Sequence, residues 1–498
     1  MATASEVEVF GRSRELFEEV VRWLDGAEAA ELTHAELESG LDERGREVLR
    51  RMLQDHLELR AQREERVEVV DADGVTHGAV EAGHARVLTT IFGEVNVCRL
   101  AYRHRGHPNL HPADAALNLP TERHSHGLRR LAAIEATRGS FDGAAEAIHR
   151  VTGCQVGKRQ VEQLAGRAAA DVDAYYDRTR RQPTADDDVV VVSVDGKGIV
   201  MRPDGLRPAT ARAAAEAATK LETRLSKGEK RNRKRLAEVG AVYDVTPVPR
   251  TATDVLASNH TNGPRPPAPE ANHKWVTASV VQDAAHVVGR VFDEAERRDP
   301  DHKRRWVALV DGNRHQIERI NAEAEARRLS VTIVIDFIHV LEYLWGAVWC
   351  FFTEGDPAAE AWVRQRALAV LEGKARDVAA GIRRRATATG LSRPKRQKAD
   401  QCARYLTNKA AYLDYPTALA NGWPIATGVI EGTCRHLVKD RMDITGARWS
   451  ADGAEAVLKL RAVRCNGDFE NYWCFHLDQE SRRRHQSRYA NGAIPSAA

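Results

Sequence analysis

The chain has 498 residues, of which 43% are hydrophobic and 29% charged, and its formal net charge is +3 from 74 basic and 71 acidic side chains. At roughly 150 residues per domain this length suggests about three domains, and the composition is typical of a globular protein. The apolar runs fall far short of the roughly 20 residues of a membrane span, and the acidic N-terminus is unlike a signal peptide, so we expect a cytoplasmic protein without a membrane partner.

The seven cysteines are scattered and form no CxxC pair, which argues against a disulfide scaffold and a cysteine zinc ribbon. A group of histidines also lacks partner cysteines at zinc-finger spacing, apart from Cys98, so no zinc site is expected there. These histidines are His104, His107, His111, His124 and His126.

Basic residues are concentrated in three places. Residues 220–236 hold eight Lys or Arg against two Glu, residues 383–398 hold seven and no acid, and residues 482–484 add a third cluster. Two interpretations stand, a nucleic-acid surface and solvated helix faces, because charges beyond about 10 Å are screened and only local clusters act on a polyanion. On the first interpretation the 220–235 segment is an arm that self-repulsion keeps disordered without DNA. Its DNA contacts would be Lys230, Arg231, Arg233, Lys234 and Arg235.

The first 180 residues predict a mostly α-helical DNA-binding region. Residues 1–74 have apolar residues at helical spacing, and residues 75–104 change to period two with a turn at Phe92-Gly93-Glu94, as in a β-hairpin. Ser140 can cap a helix to about Val151, and a second helix follows a glycine turn. The second helix turns Val161 and Leu164 inward, which fits both a helix-turn-helix and two short helices of a bundle. Its outward, DNA-facing residues are Lys158, Arg159, Gln160 and Gln163.

From residue 189 the pattern predicts an α/β core. The predicted elements are strands at Val189–Val194, Ile199–Arg202 and Ala241–Val245, a helix from the proline-rich loop to about Glu296, a strand at Trp306–Val310, a helix at Arg314–Arg328 and a strand at Val331–Ile335. Their order is βββαβαβ, and the apolar last strands are typical of a sheet covered on both faces. This first part of the core spans 189–339, an all-helical insertion spans 340–420, the second part spans 421–478, and the basic tail 479–498 is expected to be disordered.

Three acids have positions that suggest chemistry. Asp195 and Asp311 each follow an apolar strand and precede a glycine, where α/β sheets present their sites, and Glu431 lies early in a helix predicted over Gly428–Arg441 with Thr427 as its cap. Strand-end aspartates are also common in ordinary turns. If the three acids converge, they suit Mg²⁺ or Mn²⁺, and two such ions roughly 3.5–4 Å apart would activate a water or a 3′-hydroxyl on a phosphodiester.

Two neighbouring groups leave alternatives open. Glu431, Arg435 and Lys439 are spaced at i, i+4 and i+8, so the two bases could hold DNA phosphates, or Glu431 and Arg435 could form an ordinary helical ion pair. Asp336 and His339 straddle a strand-to-helix junction, where the histidine could be a ligand, a base or a structural residue.

The segments VDGKG, VDGNRHQ, DFIHVLEYLW and GVIEGTCRHLVKDRMDITGARWS resemble the bacterial insertion-sequence transposases of the ISKra group, and the resemblance runs from about residue 90 to 478. That group belongs to the DDE class, whose core is RNase H-like. The resemblance implies that Asp195, Asp311 and Glu431 are catalytic and that Asp336 and His339 form a Cys/Asp-x-x-His motif that organises the site. Asp311 ends the strand expected to carry the second aspartate, but some members could use Asp336, and the choice stays open.

The implied function is a transposase that binds element ends and target DNA, uses two Mg²⁺ or Mn²⁺ ions, and acts as a homodimer or larger assembly in the bacterial cytoplasm near the nucleoid. One alternative is a transposase-derived DNA-binding protein that no longer cuts, although it would need a lost acid and all three are present. The other alternative is an RNase H-like nuclease, against which the helical insertion and the helix-turn-helix weigh.

Overall fold

The computed structural model describes residues 9–179, 187–217, 233–257, 266–444 and 446–496, together with isolated positions between 221 and 229. The chain divides into two compact units, one formed by Met1–Arg178 with Gly467–Ala498 and the other by Thr179–Asn466. None of the helices in these ranges combines the length and the apolar character that crossing a bilayer requires.

The N-terminal part of the first unit is helical apart from one β-hairpin, as the sequence predicts. Its two strands pair antiparallel, with Thr90 opposite Gly93 across a two-residue turn. The helices are α1 (Gly11–Leu24), α2 (Ala27–Ala30), α3 (His34–Arg63), α4 (Pro112–Ala116), α5 (His126–Arg138), α6 (Phe141–Thr152), α7 (Lys158–Ala168) and α8 (Val172–Arg178), and the strands are β1 (Ala79–Thr90) and β2 (Gly93–Arg103).

The predicted helix pair is confirmed as α6 and α7. The Ser140 hydroxyl caps α6 by accepting a hydrogen bond from the Gly143 amide at 2.9 Å, and Gly153 ends the helix with a positive φ of 71° that favours glycine. The second helix begins at Lys158 and, as predicted, buries Val161 and Leu164.

The second unit is an α/β unit with a mixed five-stranded sheet in the order β5-β4-β3-β6-β7. The strand β4 pairs antiparallel with both β3 and β5. On the other side of β3, the strands β6 and β7 both run parallel to it. The elements up to the last strand are β3 (Val189–Val200), α9 (Pro208–Ala215), β4 (Lys234–Val245), α10 (Ala252–Leu256), β5 (Ala271–Ser279), α11 (Ala284–Arg298), β6 (Trp306–Val310), α12 (Arg314–Ala326) and β7 (Val331–Ile335).

The βββαβαβ order is as predicted, but two strand assignments were wrong. The residues 195–198 do not turn; they continue β3, with Asp195 opposite Val239 and Gly198 opposite Leu236, so Ile199–Arg202 is no separate strand. The third strand of the sheet in chain order is β5, and its residues Ala271–Ser279 were predicted to be the start of a helix. The helix α11 starts only at Ala284, where the Asp283 carboxylate caps it by accepting from the His286 amide at 2.9 Å.

Helices cover both faces of the sheet. On one face α11 lies so close to β4 that a Cβ on Gly240 would come within 2.3 Å of the Val291 side chain. On the other face Val191, Val307 and Leu309 pack in one apolar core with the helices of the predicted insertion. These helices are α13 (Phe337–Val348), α14 (Pro357–Leu371), α15 (Ala375–Ala388), α16 (Gln397–Asn408) and α17 (Tyr415–Ala420).

The chain then forms the segment that carries Glu431 and returns to the first unit. A π-helical turn, Cys434–Lys439, interrupts the predicted Gly428–Arg441 helix. The last helices are α18 (Gly428–Thr433), α19 (Asp440–Met442), α20 (Ala451–Cys465) and α21 (Phe469–Arg484).

Two expectations about the C-terminus were wrong. The second part of the core ends at Asn466 rather than at residue 478, because α21 belongs to the first unit. The tail expected to be disordered is helical to Arg484, and beyond it Tyr489 is buried in an apolar cluster with Val69 and Tyr102. Two of its basic residues are paired with acids, since Arg482 lies 3.0 Å from Asp478 and Arg483 lies 2.8 Å from Asp171.

A buried ionic network fixes α21 within the first unit. Asp171 accepts hydrogen bonds from His476 at 2.7 Å and from Arg483 at 2.8 Å, and Glu480 accepts one from the fully buried Arg129 at 2.7 Å. Burial alone raises the pKa of Asp171, but these hydrogen bonds outweigh it and lower the pKa to about 2.

We expect Asp171→Asn to lower the free energy of unfolding at pH 7 by about 2 kcal/mol, since the pKa lies roughly two units below that of an unfolded aspartate. A lowered pKa stabilises the fold fully above about pH 4, and that stabilisation is lost as the pH falls through about 2. Denaturant titrations between pH 7 and pH 2 should therefore show the difference between variant and wild type shrinking in acid. A difference that is constant with pH would contradict this account.

Candidate active site

The register of the parallel strands brings three aspartates to one edge of the sheet. Val192 pairs with Ala308, so three residues further along both strands Asp195 is level with Asp311. Val310 pairs with Ile335, so Asp336 is level with Asp311 in turn. Because residues at the same level of neighbouring parallel strands point to the same face, all three belong to the face that the helical insertion covers.

Asp195 lies inside β3 rather than at its end, and it is half-buried. One of its carboxylate oxygens accepts a hydrogen bond from the Gly196 amide at 2.6 Å. The other, Oδ2, accepts from the thiol of Cys434 at 3.3 Å. The π-helical turn after Glu431 therefore touches the first aspartate directly.

Asp311 follows β6, as predicted, and its carboxylate accepts a hydrogen bond from the Asn313 amide at 2.7 Å. The hydroxyl of Tyr405, from α16, donates to the backbone carbonyl of Asp311 at 3.1 Å. Gly312 has a φ of 91°, and a Cβ there would lie 3.1 Å from that hydroxyl, so this turn requires glycine for two reasons. The insertion thus holds the backbone on which the Asp311 carboxylate is mounted.

Asp336 is fully buried and its carboxylate is surrounded by donors. It accepts from the Ile338 amide at 2.8 Å, which caps α13, and from the hydroxyl of Thr427, and it contacts Nδ1 of His339 at 3.3 Å. Burial raises the pKa of Asp336, but these hydrogen bonds outweigh it and hold the pKa below its ordinary value. The hydrogen bond to Asp336 in turn raises the pKa of His339 to about 9, with a smaller contribution from the charge of Asp311, so the imidazole is a cation at neutral pH.

Glu431 reaches the same place from α18. Its Oε1 lies 3.1 Å from the Thr427 hydroxyl, which also contacts Asp336, and the ligand atoms of Asp336, His339 and Glu431 all lie within 4.8 Å of one another. Thr427 was expected to cap the helix, but its hydroxyl bridges two carboxylates instead. Glu431 itself is exposed, so its carboxylate is open to solvent.

Two further residues of this site have no signal in the sequence. Burial raises the pKa of the Cys434 thiol, and the nearby charges of Asp195 and Glu431 add to that effect. Burial likewise raises the pKa of the Tyr405 hydroxyl, with contributions from the neighbouring Tyr343, from Asp311 and from Asp336. Cys434 thus lies near Asp195 and Glu431, and Tyr405 lies near Asp311 and Asp336.

The bases predicted to accompany Glu431 are placed differently. Arg435 and Lys439 are exposed, but both lie in the π-helical turn, so the simple i, i+4, i+8 face of an α-helix does not apply. Arg461 of α20 donates to the carbonyls of His436 and Leu437 within that turn, the second at 2.8 Å. This contact satisfies carbonyls that a π-helical turn displaces from the ordinary helical pattern.

The predicted DNA-contacting residues of α7 are exposed, as expected. Lys158 lies 3.5 Å from the Asp142 carboxylate, and the side-chain oxygen Oε1 of Gln160 accepts a hydrogen bond from the Gly157 amide at 2.9 Å. Arg159 and Gln163 project from the exposed face of the helix.

Only part of the basic arm, residues 220–235, lies among the residues that the structure describes. Lys230 and Arg231 lie outside the described residues, Arg233 precedes β4, and Lys234 and Arg235 begin it. Arg235 donates to the carbonyls of Gly205 and Val281, both at 3.1 Å, so the end of the arm belongs to the folded unit. This part of the expectation of a disordered arm was wrong, because strand pairing and these two contacts fix it.

Comparison of the chain with protein-family models and with curated proteins found no match to either.

We expect Asp336→Ala to lower the free energy of unfolding by about 2–4 kcal/mol, since it leaves a half-buried histidine cation, a buried hydroxyl and an amide without their acceptor. Asp311→Ala should change it by less than about 1 kcal/mol, because that carboxylate is partly exposed. Denaturant titrations in EDTA measure the free energy of unfolding of both variants and of the wild type. Asp336→Asn, which keeps an acceptor for the Ile338 amide, should fall between them, and equal losses in the two alanine variants would refute the distinction.

Proposed function

We propose that the protein is a DNA transposase of the DDE class, built on an RNase H-like core, that breaks and rejoins phosphodiester bonds at the ends of an insertion-sequence element. One observation carries the proposal. In a sheet whose strands follow the order third, second, first, fourth, fifth, the first strand and the fourth hold Asp195 and Asp311 level with each other. Glu431, which follows an all-helical insertion, lies close to Asp336, the residue level with Asp311 on the next strand. That is the arrangement expected from the resemblance to ISKra-group transposases.

The donor set at this edge fits hard divalent cations. The side chains of Asp195, Asp311 and Glu431 present carboxylate oxygens, the ligand type that Mg²⁺ and Mn²⁺ prefer. When bound, two such ions would supply an activated water or 3′-hydroxyl and stabilise the leaving oxygen of the phosphodiester. The role of the three carboxylates is to bind the ions, and the half-buried position of Asp195 keeps part of that site away from bulk water.

The contacts of Asp311 and Asp336 support different roles for these two aspartates. Asp336 is enclosed by donors from His339, Thr427 and the Ile338 amide, so its oxygens are engaged within the protein. Asp311 is partly exposed, and its Oδ1 accepts a hydrogen bond from the Asn313 amide. We therefore assign metal binding to Asp311 and positioning to Asp336, which holds Thr427 against Glu431. His339, a cation at neutral pH, offsets the negative charge of the acids and favours a phosphate nearby.

Recognition of the element ends is assigned to α6 and α7. The second helix of such a pair lies in the major groove, where a glutamine reads an adenine and an arginine reads a guanine. Gln163 and Arg159 are exposed on α7 and have these chemistries. Because a transposase must hold two element ends together, we propose that it acts as a homodimer or a larger assembly.

The central test is cleavage of double-stranded DNA that carries the element's ends, with Mg²⁺, with Mn²⁺ and with EDTA. Asp195→Ala, Asp311→Ala and Glu431→Ala should each abolish cleavage while DNA binding persists. Asp336→Asn and His339→Gln should reduce the rate roughly 10–100-fold, as the loss of an outer-shell partner does. The matched control is Asp301→Ala, an exposed acid before β6 at the other end of the strand, which should cleave like the wild type.

The outcomes separate the competing functions. Specific binding without cleavage under any metal condition would favour a DNA-binding derivative. Cleavage of DNA regardless of the element's ends would favour a structure-specific nuclease. Full activity of Asp311→Ala with loss of activity in Asp336→Ala would reverse the two assigned roles.

Binding to the element ends should depend on α7 in a sequence-specific way. We expect Gln163→Ala to weaken binding to the ends by about 5- to 150-fold, the equivalent of 1–3 kcal/mol, and to leave binding to unrelated DNA unchanged. Lys158→Ala should weaken both kinds of binding and reduce the salt dependence, as the loss of a phosphate contact does. Gel-shift titrations at several salt concentrations measure the affinity of each variant for the element ends and for unrelated DNA, with Arg150→Ala on α6 as the control. If Gln163→Ala weakened binding equally to the element ends and to unrelated DNA, base recognition by this residue would be contradicted.

A further inference from the structure

The first unit contains a second cluster of metal-binding side chains that the proposed function does not use. A loop before β1 carries Asp71 and His77, and the turn after β2 carries His104 and His107. Asp71 Oδ2 lies 3.0 Å from Nε2 of His77 and 2.9 Å from Nδ1 of His107, and the three ligand atoms lie within 4.8 Å of one another. The ring centroid of His104 is 5.3 Å from that of His107 and 6.0 Å from that of His77.

The hydrogen bonding of His77 requires a cation or an additional proton. Its side chain is fully buried, Nδ1 faces the Tyr102 carbonyl at 3.2 Å, and Nε2 faces the Asp71 carboxylate at 3.0 Å. A neutral imidazole has a single N–H, so it can satisfy only one of these two acceptors. A metal ion between Nε2 and the carboxylate resolves the conflict, because Nδ1–H then donates to the carbonyl, as the second nitrogen of a metal-bound histidine generally does.

The backbone fixes the carboxylate in this orientation. Asp71 Oδ1 accepts hydrogen bonds from the amides of Asp73 at 3.0 Å and Val75 at 2.9 Å, which leaves Oδ2 directed at the two histidines. The loop is also paired on its other side, since the Ala72 amide donates to the Arg488 carbonyl at 3.0 Å. The ligand atoms are therefore held near one another by contacts that do not depend on an ion.

The spacing fits a tetrahedral ion. With metal–ligand bonds of about 2.0 Å, the ligands of tetrahedral zinc lie about 3.3 Å apart. The two separations from Asp71 Oδ2 need to widen by only a few tenths of an ångström to reach that value. A set of imidazole nitrogens with one carboxylate favours zinc over Mg²⁺ or Ca²⁺, which prefer oxygen.

We propose that Asp71, His77 and His107 bind one Zn²⁺, with His104 or a water molecule as the fourth ligand. The ion has a structural role: it ties the loop before β1 to the end of the β-hairpin. No zinc site was expected here, because apart from Cys98 the histidines lack partner cysteines at zinc-finger spacing. Histidines can replace cysteines as ligands, and the fold adds Asp71 and His77, which the spacing of the later histidines could not reveal.

The test is metal analysis of the full-length chain after saturation with ZnCl₂ and removal of free metal. We expect about one zinc ion per chain in the wild type and less than about a tenth of that in His77→Gln/His107→Gln. The exposed His34→Gln is the matched control and should retain the zinc. Substitution of Co²⁺ in the wild type should produce the visible absorption of a tetrahedral cobalt site, a measurement that depends on no variant. His104→Gln then separates the two candidates for the fourth ligand.

A second variant keeps this proposal distinct from the proposed catalytic function. Asp311→Ala/Glu431→Ala removes acids from the edge of the sheet that contains His339, and it should keep its zinc even where DNA cleavage is lost. A wild type that binds no zinc and gives no tetrahedral cobalt spectrum would overturn the proposal, as would equal zinc in the wild type and His77→Gln/His107→Gln. Zinc lost only from Asp311→Ala/Glu431→Ala would assign the metal to the sheet edge instead.

Discussion

Neighbouring carboxylates repel one another, and the second unit places Asp195, Asp311 and Asp336 level with one another on its parallel strands and Glu431 close to Asp336. The carboxylate of each aspartate accepts a hydrogen bond from a backbone amide one or two residues downstream. The donor is Gly196 for Asp195, Asn313 for Asp311 and Ile338 for Asp336. Thr427 and the His339 cation add further donors where Asp336 and Glu431 meet. This partial compensation lets the acids coexist, and the negative charge that it leaves is what would attract divalent cations.

The helical insertion holds this edge in place through two tyrosine hydroxyls. Tyr405 donates to the carbonyl of Asp311 at 3.1 Å, and Tyr415 donates to the carbonyl of Ile335 at 2.9 Å. Both carbonyls lie at the ends of parallel strands, where no further strand pairing is available to them. The insertion therefore completes the backbone hydrogen bonding of the strands that present the acids, in addition to burying the face of the sheet.

The sequence predicted those features that depend on short-range pattern. The strands β6 and β7 are continuous apolar runs and were found at their bounds, and the helix pair α6–α7 was visible from its cap and its glycine turn. The prediction ended β3 too early because residues 195–198, Asp-Gly-Lys-Gly, have the composition of a turn. Their pairing with β4, which the sequence pattern does not show, keeps them in the strand. The positions of Asp195 and Asp311 on apolar strands could be anticipated from the sequence, but the contacts of Thr427, Cys434 and Tyr405 could not, since each joins residues far apart in the chain.

The first unit is built from both ends of the chain, with all of the second unit between them. During synthesis Arg129 is made early, whereas its buried partner Glu480 emerges only after residues 179–466 have been translated. At translation rates of about 5–20 residues per second the delay between Arg129 and Glu480 is roughly 18–70 s. The second unit can therefore complete its sheet on the ribosome while the first unit still lacks α21. The first unit closes only once α21 has been made, so its folding must wait for the whole of the second unit to be synthesised.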